Sequence, residues 1–131
     1  DSSAVADRLV GGVSSIVASR EAFAALKETG EVVTWGDAES GGDSSAVAYR
    51  LDGGVSSIVG NGQAFAALKE AGEVVTWGDA DLGGDSSAVA DRIAAGVISI
   101  VGNEDAFAAL KEAGEVVTWG DANWSGESSG V

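Results

Sequence analysis

The sequence predicts a mainly β array of three modules, and three observations carry that prediction. One stretch occurs three times: AFAALKETGEVVTWGDA at Ala22–Ala38, then AFAALKEAGEVVTWGDA at Ala64–Ala80 and again at Ala106–Ala122. Trp35, Trp77 and Trp119 set its spacing at 42 residues. Each copy also holds a Glu-Val-Val-Thr-Trp run, dense in residues that favour strands. A repeat of this length implies that each unit is one supersecondary element, unable to bury its apolar face alone.

Each unit opens with Asp-Ser-Ser-Ala-Val-Ala, followed by Arg and Leu or Ile: Asp1–Leu9, Asp43–Leu51 and Asp85–Ile93. Asp and Ser ahead of Ala-Val-Ala suit the N-cap of a short helix. Val47 and Leu51 are four apart and share its buried face, while Arg50 points outward near the C-terminal end. Glycine ends the helix at Gly53–Gly54 and, in the third copy, at Gly96. Val55–Val59 reads as a short strand. Ser56 becomes Ile98 in the third copy, so that position accepts an apolar group. A short polar loop follows, different in every copy: Ala18–Glu21, Gly60–Gln63 and Gly102–Asp105.

The segment AFAALKE is divided between two readings. Ala, Leu, Lys and Glu favour helix, but seven residues between a polar loop and a glycine make a poor independent helix. As a strand it would place Phe65 and Ala67 on one face and Ala66 and Leu68 on the other. Glu73–Trp77 is a clear strand, with Ala71-Gly72 as the turn before it. A second variable loop closes each unit: Glu39–Gly41, Asp81–Gly83 and Asn123–Ser125.

Composition narrows the function. The formal net charge is −14, with seven basic residues among 131. A phosphate-binding surface needs clustered Lys and Arg, so no nucleic acid is expected as a partner. There is no cysteine, which excludes disulfides and thiolate metal sites. No apolar run is long enough for a membrane-spanning helix, and no signal peptide is recognised, so no membrane partner is expected. The chain opens at Asp1, and Glu127–Val131 matches the start of a unit; it reads as a processed product or an excerpt of a longer array.

The unit Gly-Val-x-x-Ile, loop, Ala-x-Ala-Leu-Lys, glycine turn, Val-Val-x-Trp-Gly-Asp resembles the repeats of the regulator of chromosome condensation family. The residues that carry the resemblance are Gly54, Val55, Ile58, Ala67, Leu68, Lys69, Gly72, Val74, Trp77 and Gly78, with the same set at Gly12 through Gly36. The 42-residue length is similar to the compact bacterial blades typified by β-lactamase inhibitory protein II. The resemblance implies a β-propeller with three antiparallel strands per blade, and under it AFAALKE is a strand. This chain departs by placing a short helix-like DSSAVADRL where relatives often carry a proline-bearing link. The basic and loop elements with which the chromatin regulator binds a small GTPase and nucleosomes have no counterpart here. The inhibitory relative binds an enzyme through aromatic-bearing loops on one face. At the matching positions only Trp124 is aromatic, so inhibition of that enzyme is not expected.

The expected fold is therefore a mainly β, propeller-type array with three strands and a short helix per blade. The units are residues 1–42, 43–84 and 85–126, with 127–131 opening a truncated fourth. Three blades are too few to close a propeller. Closure would need a homo-oligomer, most simply a head-to-tail dimer of six blades; the alternative is an open stack or solenoid. The leading function is a non-catalytic protein-interaction scaffold whose specificity lies in the variable loops: Arg20, Glu21, Asn61, Gln63, Asn103, Glu104 and Asp105 in one family, and Ser40, Leu82 and Trp124 in the other. The alternative is a structural repeat protein that assembles into a fibre or surface layer.

Other readings of single residues are weaker. The three periodic tryptophans fit inter-blade packing better than ligand stacking. Trp124 is off that period, and exposure as a contact residue competes with packing on its own blade edge. Asp79, Asp81 and Asp85 invite a calcium reading, but Asp81 is replaced by Glu39 and Asn123 in the other units, so turn and cap roles explain Asp79 and Asp85 better. No metal or cofactor is expected. With no His and no Cys, the common general base and the thiol nucleophile are missing, and no catalytic residue is assigned. Tyr49 replaces Asp7 and Asp91 and is a candidate inter-blade or inter-chain contact.

Overall fold

The computed structural model of the chain describes residues 12–37, 43–79, 85–104 and 106–120. Among the described residues nine strands form three separate antiparallel sheets. The first sheet is β1 (Val13–Ala18), β2 (Ala22–Lys27) and β3 (Val32–Gly36). The second is β4 (Val55–Gly60), β5 (Ala64–Lys69) and β6 (Val74–Gly78). The third is β7 (Val97–Gly102), β8 (Ala106–Lys111) and β9 (Val116–Gly120). Each is a meander in which the middle strand is the AFAALK segment, so both of its edges are hydrogen-bonded. That pairing decides between the two readings left by composition. Six residues make too short a helix to hold itself together, whereas a central strand satisfies its backbone on both sides.

The register places Phe opposite Trp in every sheet: Phe23 with Trp35, Phe65 with Trp77 and Phe107 with Trp119. The rings stack with centroids 5.5–5.7 Å apart. The alternation expected for AFAALK holds. Phe65 and Ala67 face the first sheet, together with Val75, Trp77 and Ile58, against Ala22, Ala24, Leu26 and Val32. Ala66 and Leu68 face the third sheet, against Phe107, Ala109, Val117 and Trp119. Each interface thus seats a bulky aromatic face on a face floored by alanine, which lets the two backbones approach. Phe65 is 0 % exposed, but Phe23, its equivalent on the first sheet, is 44 % exposed.

The opening segment of each unit differs from the expected α-helix. Ser45–Arg50 and Ser87–Arg92 are 3-10 helices. The equivalent Asp1–Leu9 lies outside the described residues. No side chain caps the N-terminus; instead Asp43 Oδ1 accepts from the Ser45 amide, and Asp85 Oδ1 from the Ser87 amide, both at 2.9 Å. Leu51 and Ile93 are buried, as their spacing from Val47 and Val89 predicts. Arg50 corrects its expectation. It does not point into solvent but is half-buried, ion-paired with Glu73, and donates to the Val74 carbonyl. Tyr49 is 75 % exposed and does not pack between blades.

The opener works as a clamp between consecutive sheets. Backwards, the Leu51 carbonyl accepts from the Val32 amide at 2.8 Å, and Val55 donates to the Gly30 carbonyl at 3.1 Å. The Ser44 and Thr34 hydroxyls share a hydrogen bond of 2.9 Å. Forwards, Arg50 holds Glu73 at the next sheet. The second junction repeats the pattern with Ile93, Val97 and Gly72, the Ser86–Thr76 pair at 2.9 Å, and Arg92–Glu115 at 2.6 Å. The backbones come so close that a Cβ on Gly30 or Gly72 would lie 2.5 or 2.6 Å from the next unit's glycine nitrogen, so these turns require glycine. Among the described residues no helix is long and apolar enough to cross a membrane.

Two outcomes follow from this packing. Phe65→Ala should cost about 3–5 kcal/mol in urea unfolding, while Phe23→Ala, at a ring already 44 % exposed, should cost well under half as much. The carboxyls of Asp43 and Asp85 are held below the usual carboxylate range, chiefly by the serine hydroxyl two residues on and then by its amide. A carboxyl with a depressed folded pKa stabilises above its unfolded pKa and loses that effect as pH falls through the folded value. Asp43→Asn with Asp85→Asn should therefore lower Tm at neutral pH, and the gap to the unsubstituted chain should close towards pH 2 in thermal melts.

Candidate protein-interaction rim

In a three-stranded meander the first loop and the exit of the third strand lie at the same end of the sheet. The structure ties them together: the Asp37 amide donates to the Glu21 carbonyl at 2.9 Å, and Asp79 to the Gln63 carbonyl at 2.8 Å. The first-family loops and the ends of the third strands therefore lie at one edge of the array. The glycine turns between the second and third strands occupy the opposite edge.

The first-loop family forms a continuous line. The Arg20 amide donates to the Gly62 carbonyl at 2.8 Å, and the Gly62 amide donates to the Glu104 carbonyl at 3.0 Å. Three loops from three sheets are thus joined backbone to backbone. A Cβ at Gly62 would sit 2.9 Å from the Glu104 oxygen, so the middle loop has no room for a side chain there. The side chains of Arg20, Glu21 and Glu104 are left exposed along this line, with Gln63 half-exposed.

Asn61 and Asn103 have a different place from the other candidates. Asn61 is 7 % exposed, and its Oδ1 accepts from the Gln63 and Ala64 amides at 3.0 and 2.8 Å. Asn103 Oδ1 accepts from the Ala106 amide at 2.8 Å, although the residue is exposed. In the first unit Ser19 stands here, its hydroxyl 3.5 Å from the Ala22 carbonyl. These side chains close their own loops. Ser40, Leu82, Asp105 and Trp124 lie outside the described residues, as does Asp81 of the calcium reading. Asp79 and Asp85 have the turn roles already given, and among the described residues no three acidic side chains are grouped to hold a metal ion. The trait that sequence reasoning missed is the line of loop-to-loop hydrogen bonds. Its one signal was Gly62, where the other units carry Arg20 and Glu104.

This geometry defines a class: a stack of three-stranded blades with a constant frame and a variable edge. The fold is that of propeller blades of the regulator of chromosome condensation type, three per chain. Human WBSCR16 is similar over 86 % of this chain and 35 % of its own, at 20 % identity and a TM-score of 0.59. Prp20p of Saccharomyces cerevisiae, described with its binding to Gsp1p and histones, is similar over 82 % of this chain and 30 % of its own, at 20 % identity and 0.57. The same protein, as yeast RCC1 bound to Kap60, matches at 16 % identity and 0.54, over 82 % of this chain and 29 % of that one. The chain spans about a third of the length of these solved chains. No family model matches it. No curated protein matches it either.

Asn61→Ala should cost about 1–3 kcal/mol in urea unfolding, because two amides in a closed loop lose their acceptor. Asn103→Ala, at an exposed loop with one such bond, should cost less.

Proposed function

We propose that the chain is a non-catalytic protein-interaction scaffold that binds through the rim of first-family loops. The observation that carries this is the backbone line Arg20–Gly62–Glu104. It holds three loops of different sequence in one fixed row while leaving charged side chains exposed. A row of this kind presents polar groups in a set order at little ordering cost on binding. Its charges, Arg20 beside Glu21 and then Glu104, suit a partner surface of mixed charge and act through orientation and rate of encounter. Prp20p, on the same blade fold, binds proteins, which supports the general reading without identifying a partner for this chain. Further blades, in the same chain or in another copy, would lengthen the rim.

Arg20→Glu, Glu21→Lys and Glu104→Lys together should leave urea stability within about 0.5 kcal/mol per site and change the set of proteins a tagged chain retains. Glu28→Lys, Glu70→Lys and Glu112→Lys on the opposite edge serve as the control and should leave that set unchanged. Unfolding of the rim variant, or sensitivity of the retained set only to the opposite edge, would refute the scaffold.

A further inference from the structure

We infer that the loop rim takes an extended, mainly basic polypeptide segment, laid across the three blades with an acidic residue over Arg20 and a basic residue over Glu104. This rests on the scaffold reading of the rim and adds to it the chemistry and orientation of the partner.

The backbone line fixes the spacing. Arg20 is joined to Gly62, and Gly62 to Glu104, by amide-to-carbonyl hydrogen bonds of 2.8 and 3.0 Å. Backbones paired in this way lie about 5 Å apart, so Arg20 and Glu104 stand about 10 Å apart along the row. An extended chain rises about 3.3 Å per residue and turns alternate side chains to one face, so residues two or four apart on it reach both ends of the row.

Gly62 supplies the room between them. The first and third units carry the side chains of Arg20 and Glu104 at this position, and the second carries none. A Cβ at Gly62 would stand 4.0 Å from Arg20 Nη2, so the guanidinium leans towards the gap and forms one of its walls. A partner backbone can settle on the middle blade there without displacing a side chain.

The charges set the orientation. Arg20 is the one cation of this edge among the described residues. Glu21 lies beside it, Asp37 and Asp79 are tied by their amides to the Glu21 and Gln63 carbonyls, and Glu104 closes the far end. Among the described residues no ion pair or side-chain hydrogen bond engages the side chains of Arg20, Glu21 or Glu104. A segment turned end for end would meet a like charge at both ends of the row. The net charge of −14 draws a basic segment in from a distance, and salt weakens that attraction.

The test starts with random peptides displayed on phage and selected on the purified full chain at low salt. Enriched peptides should carry net positive charge and one acidic residue two or four places from a basic one. One such peptide, synthesised and labelled for fluorescence anisotropy, is then measured against Arg20→Gln and Glu104→Gln, both at exposed positions and checked for fold by far-UV circular dichroism. Each should bind about five-fold more weakly. Neutralising the acidic residue of the peptide should cost affinity on the unsubstituted chain but nothing further on Arg20→Gln, and the basic residue should behave likewise with Glu104→Gln. The crossed pairs should be additive. No enriched peptide, enriched peptides without that spacing, or additive effects at the matched pairs would each overturn the inference. If that happens while the rim charge reversals still change the set of proteins retained, the scaffold stands and only this segment falls; if the retained set ignores the rim as well, both fall.

Discussion

The structure depends on the seating of one blade on the next. A sheet of three strands, each five or six residues long, has no interior of its own; every apolar side chain lies on one face or the other. The middle blade packs on a described blade at both faces, and its Phe65, Ala66, Ala67 and Val75 are completely buried. On the outer sides of the first and third blades some equivalent groups are exposed, Phe23 at 44 % and Leu110 at 39 %, while Ala25 and Val33 stay buried. Stability is therefore a property of junctions. The aromatic pair supplies area, and the alanine floor supplies the close approach that makes the area count.

The polar part of the junction has its own logic. Closing two sheets together would bury backbone groups at the glycine turn and the start of the third strand. The opener satisfies them, with Leu51 and Ile93 accepting and Val55 and Val97 donating, while its own side chains bridge forwards and backwards. A 3-10 helix suits that task, because six residues must cross from one edge to the next blade's first strand while aiming Arg50 one way and Ser44 the other. The strong acidity is accommodated because the carboxylates lie at turns and edges. There Asp43 and Asp85 accept from serine, and Arg92 lowers the pKa of Glu115 mainly by hydrogen bonding to it.

The loop rim draws on the same separation of frame and surface. Its backbone is fixed across three blades, and Asn61 and Asn103 close two of its loops from within. Variation is left to side chains that no junction needs. A surface of this kind can change its chemistry without disturbing the packing beneath it, which is how one frame comes to serve different partners.

The 42-residue period, the strand at Glu73–Trp77, the turns, the packing role of the tryptophans and the two faces of AFAALK were determined by the sequence itself. They rest on local propensity and alternation, which act over a few residues. Composition alone left AFAALK between helix and strand, because a strand's preference comes from the neighbours it is hydrogen-bonded to. Only the tertiary structure decided that Asn61 turns inward and that Arg50 reaches a glutamate 23 residues on. It alone joined the loops of three blades into one row. Those features are contacts between units. A period read along the chain shows that units are alike, but the contact between them depends on how one backbone lies against the next.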